Sequence, residues 1–254
     1  MLNKPIVLYT DHEINRTLCY SFAKGSDSLM CHVNNFNEFD KTIATYGYLR
    51  GTGEAIKKVK NFFYMDHGYF KQSKRKFQKN KVINIALDGY FRVVYNDYWS
   101  DASEKKSSDR FDKLSLNIKD KKKQGDHIII SEPIPEAIEF YNLGNWTEVT
   151  INKLKKYTDR KFIIHSRSSE IKLDDLLKNA WAFVSDHSSA GFKAMMAGVP
   201  AYFTNSTLGK ISSIENIEDH DIDYSVFYNL AYEQWTISEI QNGEAWHYLS
   251  QKIK

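Results

Sequence analysis

Val184–Phe203 reads VSDHSSAGFKAMMAGVPAYF, and its alternation decides the fold. Ala182-Phe183-Val184 is a short apolar strand, Ser185-Asp186-His187-Ser188-Ser189 a polar turn, and Ala190 to Ala197 a helix. Gly198-Val199-Pro200 then turns the chain into another strand, Ala201-Tyr202-Phe203. Strand, helix and strand in such close succession form the building unit of a parallel α/β layer with right-handed crossovers.

The same pattern continues upstream. His127 to Ile130 (HIII) reads as a buried parallel strand closed by Ser131-Glu132-Pro133, and Lys161 to Ile164 as a second strand leading into His165-Ser166-Arg167. Helices are expected over Tyr141 to Lys156, with Trp146, Val149, Ile151 and Leu154 on one face, and over Leu173 to Asn179. In the amino-terminal half a strand from Pro5 to Tyr9 meets the turn Thr10-Asp11-His12. A helix follows from Asn15 to Lys24, ended by Gly25. Phe62-Phe63-Tyr64-Met65 is apolar and ends at Asp66-His67-Gly68-Tyr69-Phe70; Ile83 to Tyr95 is aromatic and strand-like. Ser100 to Gly125 is polar and lacks apolar periodicity, which places a boundary within it. The last forty residues, with Tyr224, Phe227, Leu230, Trp235, Ile240, Trp246 and Leu249, read as helical. The expected segments are 1–124, 125–215 and 216–254.

A chain of 254 residues has room for one large domain or two smaller ones. With 42% hydrophobic and 26% charged residues it belongs among globular chains rather than disordered ones. No apolar stretch approaches the length of a membrane span. The start, Met1-Leu2-Asn3-Lys4-Pro5, has no long apolar run and no small-residue cleavage site, which predicts no signal peptide and a cytoplasmic protein. Cys19 and Cys31 make neither a disulfide framework nor a four-cysteine metal site and are read as reduced thiols. The net charge of +3 is too small to announce a nucleic-acid binder. The charge is concentrated, however, in Lys71–Lys81 (KQSKRKFQKNK), which has six cations and no anion.

A strand that ends in hydroxyl and His residues before a helix of small residues suits an anion, because a helix start offers unpaired N–H groups. Ser188 and Ser189 are candidate donors to phosphate; Ala190 and Gly191 would let the backbone approach. Ser188 as a plain helix cap is the alternative. His165 and Arg167 follow the preceding strand at the same carboxyl edge, where ligands collect in open α/β sheets. Arg167 suits a bidentate phosphate clamp, or a surface pair with Glu170. His187 is a candidate for phosphate or a sugar hydroxyl. Asp219-His220-Asp221 has D-x-D spacing but sits in a polar stretch and reads as a solvated acidic loop, so no metal site is expected. There is no P-loop, no G-x-G-x-x-G and no G-x-S-x-G elbow.

The run H-S-S-A-G-F-K-A-M-M-A-G-V-P (187–200) resembles the donor-side signature of GT-B glycosyltransferases and related capsule-type sugar transferases. Leu230 to Trp246 (LAYEQWTISEIQNGEAW), Asp66-His67-Gly68-Tyr69-Phe70 and Tyr90-Phe91-Arg92-Val93 are similar to elements of phage-encoded members. The resemblance implies an α/β fold of two Rossmann-like domains, with carboxy-terminal helices packing back on the amino-terminal half. It implies a metal-independent transferase whose donor is a nucleotide sugar, a UDP-sugar first, with no tightly bound cofactor. Lys193 stands where many such enzymes place a Glu that grips the ribose, and Lys cannot accept those hydrogen bonds. Ribose recognition would then pass to another residue, Glu215 or Glu218 being candidates, or the donor or the site itself differs.

Sugar transfer by inversion needs a base for the acceptor hydroxyl. Asp11, beside His12, and Asp66 with His67 are the candidates; each reads equally as a turn or cap residue. Lys74, Arg75 and Lys76 suit a phosphate backbone, or a solvated loop. With Tyr69 and Arg92 they form the expected acceptor side. The first acceptor considered is a hydroxymethylated pyrimidine in double-stranded phage DNA, flipped from the stack. A polysaccharide or lipid-linked glycan is the alternative. A non-catalytic nucleic-acid-binding α/β module and an epimerase or hydrolase on the same fold are the rivals.

Overall fold

The computed structural model describes residues 4–73, 75–78, 81–85, 87–101, 103, 105–122, 124–219 and 223–252. The chain divides into two units, Met1–Ser100 with Leu230–Lys254, and Asp101–Asn229. Among the described residues no helix is long and apolar enough to cross a membrane.

The first unit runs β1 (Ile6–Tyr9), α1 (Glu13–Ser26), β2 (Met30–His32), β3 (Ile43–Tyr46), α2 (Thr52–Lys58), β4 (Phe62–His67), β5 (Arg75–Gln78), β6 (Lys81–Ile85) and β7 (Tyr90–Tyr95). Its main sheet places β2, β1, β3 and β4 side by side in parallel, then β7 antiparallel to β4. Val7 and Leu8 are both fully buried although they point to opposite faces. That is the mark of a strand covered on both sides. Val7 shares a cluster with Ile14, Leu18 and Phe22 of α1, and Leu8 with Ile43, Ile56 and Tyr64 on the other face. Cys19 and Cys31 are free thiols. Burial pushes Cys19 up to about 12 despite its hydrogen bonding.

The second unit runs α3 (Asp109–Asp112), β8 (His127–Ser131), α4 (Pro135–Tyr141), α5 (Trp146–Leu154), β9 (Lys161–His165), α6 (Leu173–Leu176), β10 (Ala180–Ser185), α7 (Ala190–Met196) and β11 (Ala201–Phe203). Its sheet has the order β11-β10-β8-β9, all parallel. Ile128, Ile129, Ile130, Phe183 and Val184 are fully buried. After α7, the N–H of Gly198 donates to Met195 O (2.9 Å) and that of Val199 to Ala194 O (3.0 Å), with Gly198 at φ +81°. This is a Schellman closure, which a residue with a Cβ would strain. Gly198 also lies against Asp120, and the N–H of Lys119 donates to Met196 O (2.9 Å). The polar stretch before β8 is thereby tied to the second unit.

The chain passes through α8 (Val226–Tyr232), and β12 (Gln234–Thr236), α9 (Ile237–Gln241) and α10 (Glu244–Lys252) complete the first unit. β12 pairs antiparallel with β7 and becomes the sixth strand. Phe22 and Phe63 pack on Trp246 of α10, so the carboxy-terminal helices cover the α1 face as expected.

Four local expectations are corrected. Gly25 does not end α1: the helix continues to Ser26 and closes at Asp27 (φ +51°). A Cβ on Gly25 would stand 2.0 Å from Ile240 O, so the glycine is there for helix-to-helix approach. Ile83–Tyr95 is two strands in different sheets, broken at Gly89, where a Cβ would meet the backbone N of Ser73 at 2.1 Å. The helix expected over Tyr141–Lys156 starts only at Trp146, as α5, because α4 ends at Tyr141 and left-handed Asn142 and Gly144 follow; Val149 is 65% exposed. Trp235 sits in a strand rather than on a helical face. Thr236 and Glu239 form a capping box that starts α9 only after it.

Candidate functional site

In the second unit the sheet delivers Ser131, His165, Ser185 and Phe203 to one carboxyl edge. His165 is half-buried on β9, two strand spacings or about 10 Å from β10. The loop after it is fastened by its serines, the N–H of Ser166 donating to Ser169 Oγ at 2.9 Å. Arg167 is exposed, and among the described residues it has no ion pair, with Glu170 or otherwise.

Beyond β10 the start of α7 is bonded within itself. The N–H of Ser188 donates to Ser185 Oγ (3.1 Å), Ala190 to Ser188 Oγ (3.2 Å), Gly191 to Ser188 O (2.9 Å) and Phe192 to Ser189 O (3.2 Å). Ser188 therefore supplies the hydroxyl bonded at the helix start, while Ser189 holds the N-cap position without a side-chain cap bond. The missing Cβ of Gly191 is space taken by the Phe203 ring, 2.5 Å from where it would stand. Any contact to a ligand at this edge would thus come from side chains.

The side chain best placed is His187. Its Nδ1 donates to Asp186 Oδ2 at 2.5 Å, because a carboxylate can only accept, and its ring lies 4.3 Å from that of Tyr141. Asp186 is buried, and its Oδ1 accepts from the Thr204 hydroxyl (2.8 Å), whose oxygen accepts from Trp146 Nε1 (2.6 Å). Trp146, Thr204 and Asp186 thus form a relay that fixes the imidazole's tautomer and orientation. The sequence reading singled out His187 and passed over its three supports. Asp186 is adjacent to it, and Thr204 directly follows β11, the next strand of the same edge. Lys193 pairs on the surface with Asp174 (2.7 Å). Of the two alternative ribose candidates, Glu218 is gripped by Arg160, which stacks on Trp181, while Glu215 pairs with Lys153 at 3.8 Å.

In the first unit the carboxyl edge of β1, β2 and β3 surrounds a cavity of about 370 Å³ lined by Thr10, Asp11, His12, His32, Val33, Asn34 and Arg50. Buried Asn15 braces the loop after β1: its Oδ1 accepts from the N–H of Thr10 (2.7 Å) and its Nδ2 donates to Tyr46 O (2.9 Å). Asp11 does not cap α1; that position belongs to His12. The Asp11 carboxylate is 93% exposed and stands 3.7 Å from His32 Nε2. His32 Nδ1 accepts from the N–H of Asn34 (3.3 Å), which leaves the ring proton on Nε2, toward Asp11. Arg50 enters from the loop after β3 with φ +60°, followed by Gly51 at +88°. Such a conformation is uncommon for a residue with a Cβ. The Thr52 hydroxyl sustains it by bonding Gly47 O (2.9 Å) and Leu49 O (2.7 Å).

Asp66 and His67 lie at the end of β4. Asp66 faces Arg92 across the β4–β7 register, and its carboxylate accepts from Arg92 Nη2 (3.1 Å), the Tyr64 hydroxyl (3.1 Å) and the N–H of His67 (2.7 Å). Burial pushes its pKa up, but the Arg92 and His67 charges and these bonds outweigh burial and hold it below the usual carboxylate range. His67 Nε2 meets the Tyr46 hydroxyl at 3.1 Å. Arg92 is only 3% exposed; it donates to His67 O (2.6 Å) and Tyr98 O (3.0 Å) and lies 3.9 Å from the centre of the Trp99 ring. Tyr69 is buried beside it, its hydroxyl accepting from the N–H of Ser100 (2.7 Å). These two expected acceptor contacts are therefore interior groups. Arg75 and Lys76 lie on β5 of a hairpin with β6. Lys74 falls outside the described residues, as do His220 and Asp221 of the D-x-D spacing.

The molecule is thus a mixed α/β protein of two sheet-containing units, consistent with the double Rossmann-like arrangement of GT-B proteins. A solved structure agrees on the fold. The chain is similar to the β-Kdo 2,4 transferase of Thermosulfurimonas dismutans KpsC, with a TM-score of 0.50 and 10% identity over 91% of this chain and 91% of that one. The β-Kdo 2,7 transferase of the same KpsC gives a TM-score of 0.44 and 10% identity over 96% and 99%. No family model and no curated protein matches the sequence.

Proposed function

We propose that the chain is a glycosyltransferase that takes a nucleotide sugar as donor and a hydroxyl of a polysaccharide as acceptor. The observation that carries the reading is His187, fastened by Asp186, Thr204 and Trp146 at the carboxyl edge of a parallel sheet. With Nδ1 held by the carboxylate, Nε2 is the ring nitrogen that would meet the donor. Arg167 and the Ser189 hydroxyl would add contacts to the donor, and His165 would face it from β9. As the bond between the anomeric carbon and the phosphate oxygen breaks, these groups take up the charge that develops on the leaving nucleotide. On the acceptor side, Asp11 takes the proton of the attacking hydroxyl as the new C–O bond forms. Asp66, committed to Arg92, serves as a fixed anion rather than the base.

The acceptor follows the fold likeness to a β-Kdo 2,4 transferase, which favours a glycan over modified DNA. The DNA reading rests on the basic run at Lys71–Lys81 and on the resemblance to phage-encoded members.

A thermal-shift screen against UDP-, GDP-, ADP-, TDP- and CMP-linked sugars tests the donor site, since a ligand of the native state raises its melting point. One nucleotide is expected to shift wild type, and Asp186→Asn is expected to weaken that shift. A flat response to every nucleotide, with salt-sensitive DNA binding, would replace this reading with a nucleic-acid-binding module. Release of free sugar without an acceptor would replace it with a hydrolase.

A further inference from the structure

The first-unit cavity holds groups that withdrawal of a proton does not need. Asp11 and the His32 Nε2–H beside it are enough to receive a hydroxyl. Arg50 is surplus. It lines the same cavity, and among the described residues it has no carboxylate partner. Asp11, the one acid in the lining, is engaged by His32 instead. The loop holds Arg50 in a left-handed conformation through two Thr52 hydrogen bonds, so the guanidinium is presented from a fixed backbone. His12 adds a second imidazole to the lining. An exposed guanidinium in a concave site, with no counter-ion among the described residues, suits a planar or tetrahedral anion.

We infer that this cavity binds an anionic sugar unit, with a hydroxyl at Asp11 and a carboxylate or phosphate substituent on Arg50. The volume of about 370 Å³ lies in the range of small-molecule sites, roughly 300–1,000 Å³, and suits one such unit rather than a long segment. The inference deepens the transferase reading by giving its acceptor a charge. The lining mixes hydrogen-bonding groups (Thr10, Asn34) with the charged ones, as a sugar ring bearing both hydroxyls and an acid requires.

The test is an NMR titration of the full chain with glucuronate, glucose 6-phosphate and glucose, following the His12 and His32 ring resonances. At least one anionic sugar is expected to bind about tenfold more tightly than glucose. Glucuronate alone would name a carboxylate, glucose 6-phosphate alone a phosphate. Arg50→Asn tolerates a left-handed backbone and should abolish the preference while leaving the melting point near that of wild type. Arg50→Lys should keep part of it. Equal binding of glucose and both anions, an anion preference that survives Arg50→Asn, or no binding of any probe would overturn the assignment. Anion preference in a protein that no nucleotide stabilises would uphold the cavity and overturn the transferase.

Discussion

The two sheets place their acids in opposite ways. In the second unit Asp186 is buried and saturated, and its effect is exerted through His187. In the first, Asp11 is open to solvent and lightly held by His32. Asp66 is a third case, a carboxylate partly shielded and tied to a buried guanidinium. A carboxylate that must take a proton needs room and few bonds, whereas one that orients another group needs many. On those grounds the proposed base falls in the first unit and the held imidazole in the second. The sheets differ in the same sense: the second is parallel throughout, while the first admits the antiparallel β7, whose Arg92 neutralises Asp66.

The contrast can be broken by substitution. Asp11→Asn should lower transfer by about 10²–10⁴-fold, the usual contribution of a general base, with the nucleotide-induced thermal shift unchanged. Loss of the shift as well would remove the division of roles. Arg92→Met should cost about 3–5 kcal/mol in urea denaturation, because it leaves the Asp66 charge unpaired. Asp66→Asn in the same background should recover part of that loss. Asp186→Asn should weaken nucleotide affinity by about tenfold, or 1.4 kcal/mol, because the imidazole loses the carboxylate that orients it. Gly25→Ala should cost about 1–3 kcal/mol through overpacking against Ile240, although alanine favours helices.

Acid titration gives the finest distinction. Asp66 has its pKa lowered in the folded state, so its contribution is complete above the unfolded value near 4 and is lost as pH falls through the folded value. Wild type should therefore lose stability below about pH 4 more steeply than Asp66→Asn.

What the sequence disclosed was the set of strands buried on both faces: β1, β8, β10 and β11 stand out because apolar runs between polar turns have few other readings. The G-V-P turn after α7 was legible for the same reason. β12 was missed because Gln-Trp-Thr is short and sits among helices, although the T-x-x-E box beginning at Thr236 marks where a helix must start. Glycine misled the reading at Gly25 and Gly191, where the missing side chain makes room for a neighbour distant in sequence. The Arg50 cavity was invisible because its lining comes from the loops after three strands that only the sheet brings together. Asp186 could have been chosen with His187, but its buried bonds to Thr204 and Trp146 are tertiary facts.

Because β12, α9 and α10 belong to the first unit, the ribosome must make all of Asp101–Asn229 before that unit's sheet receives its sixth strand. During this interval the β7 edge is unpaired and the face of α1 that Trp246 will cover is bare. The continuous second unit has its whole sheet available earlier, so the unit that begins later in the chain can complete its sheet first.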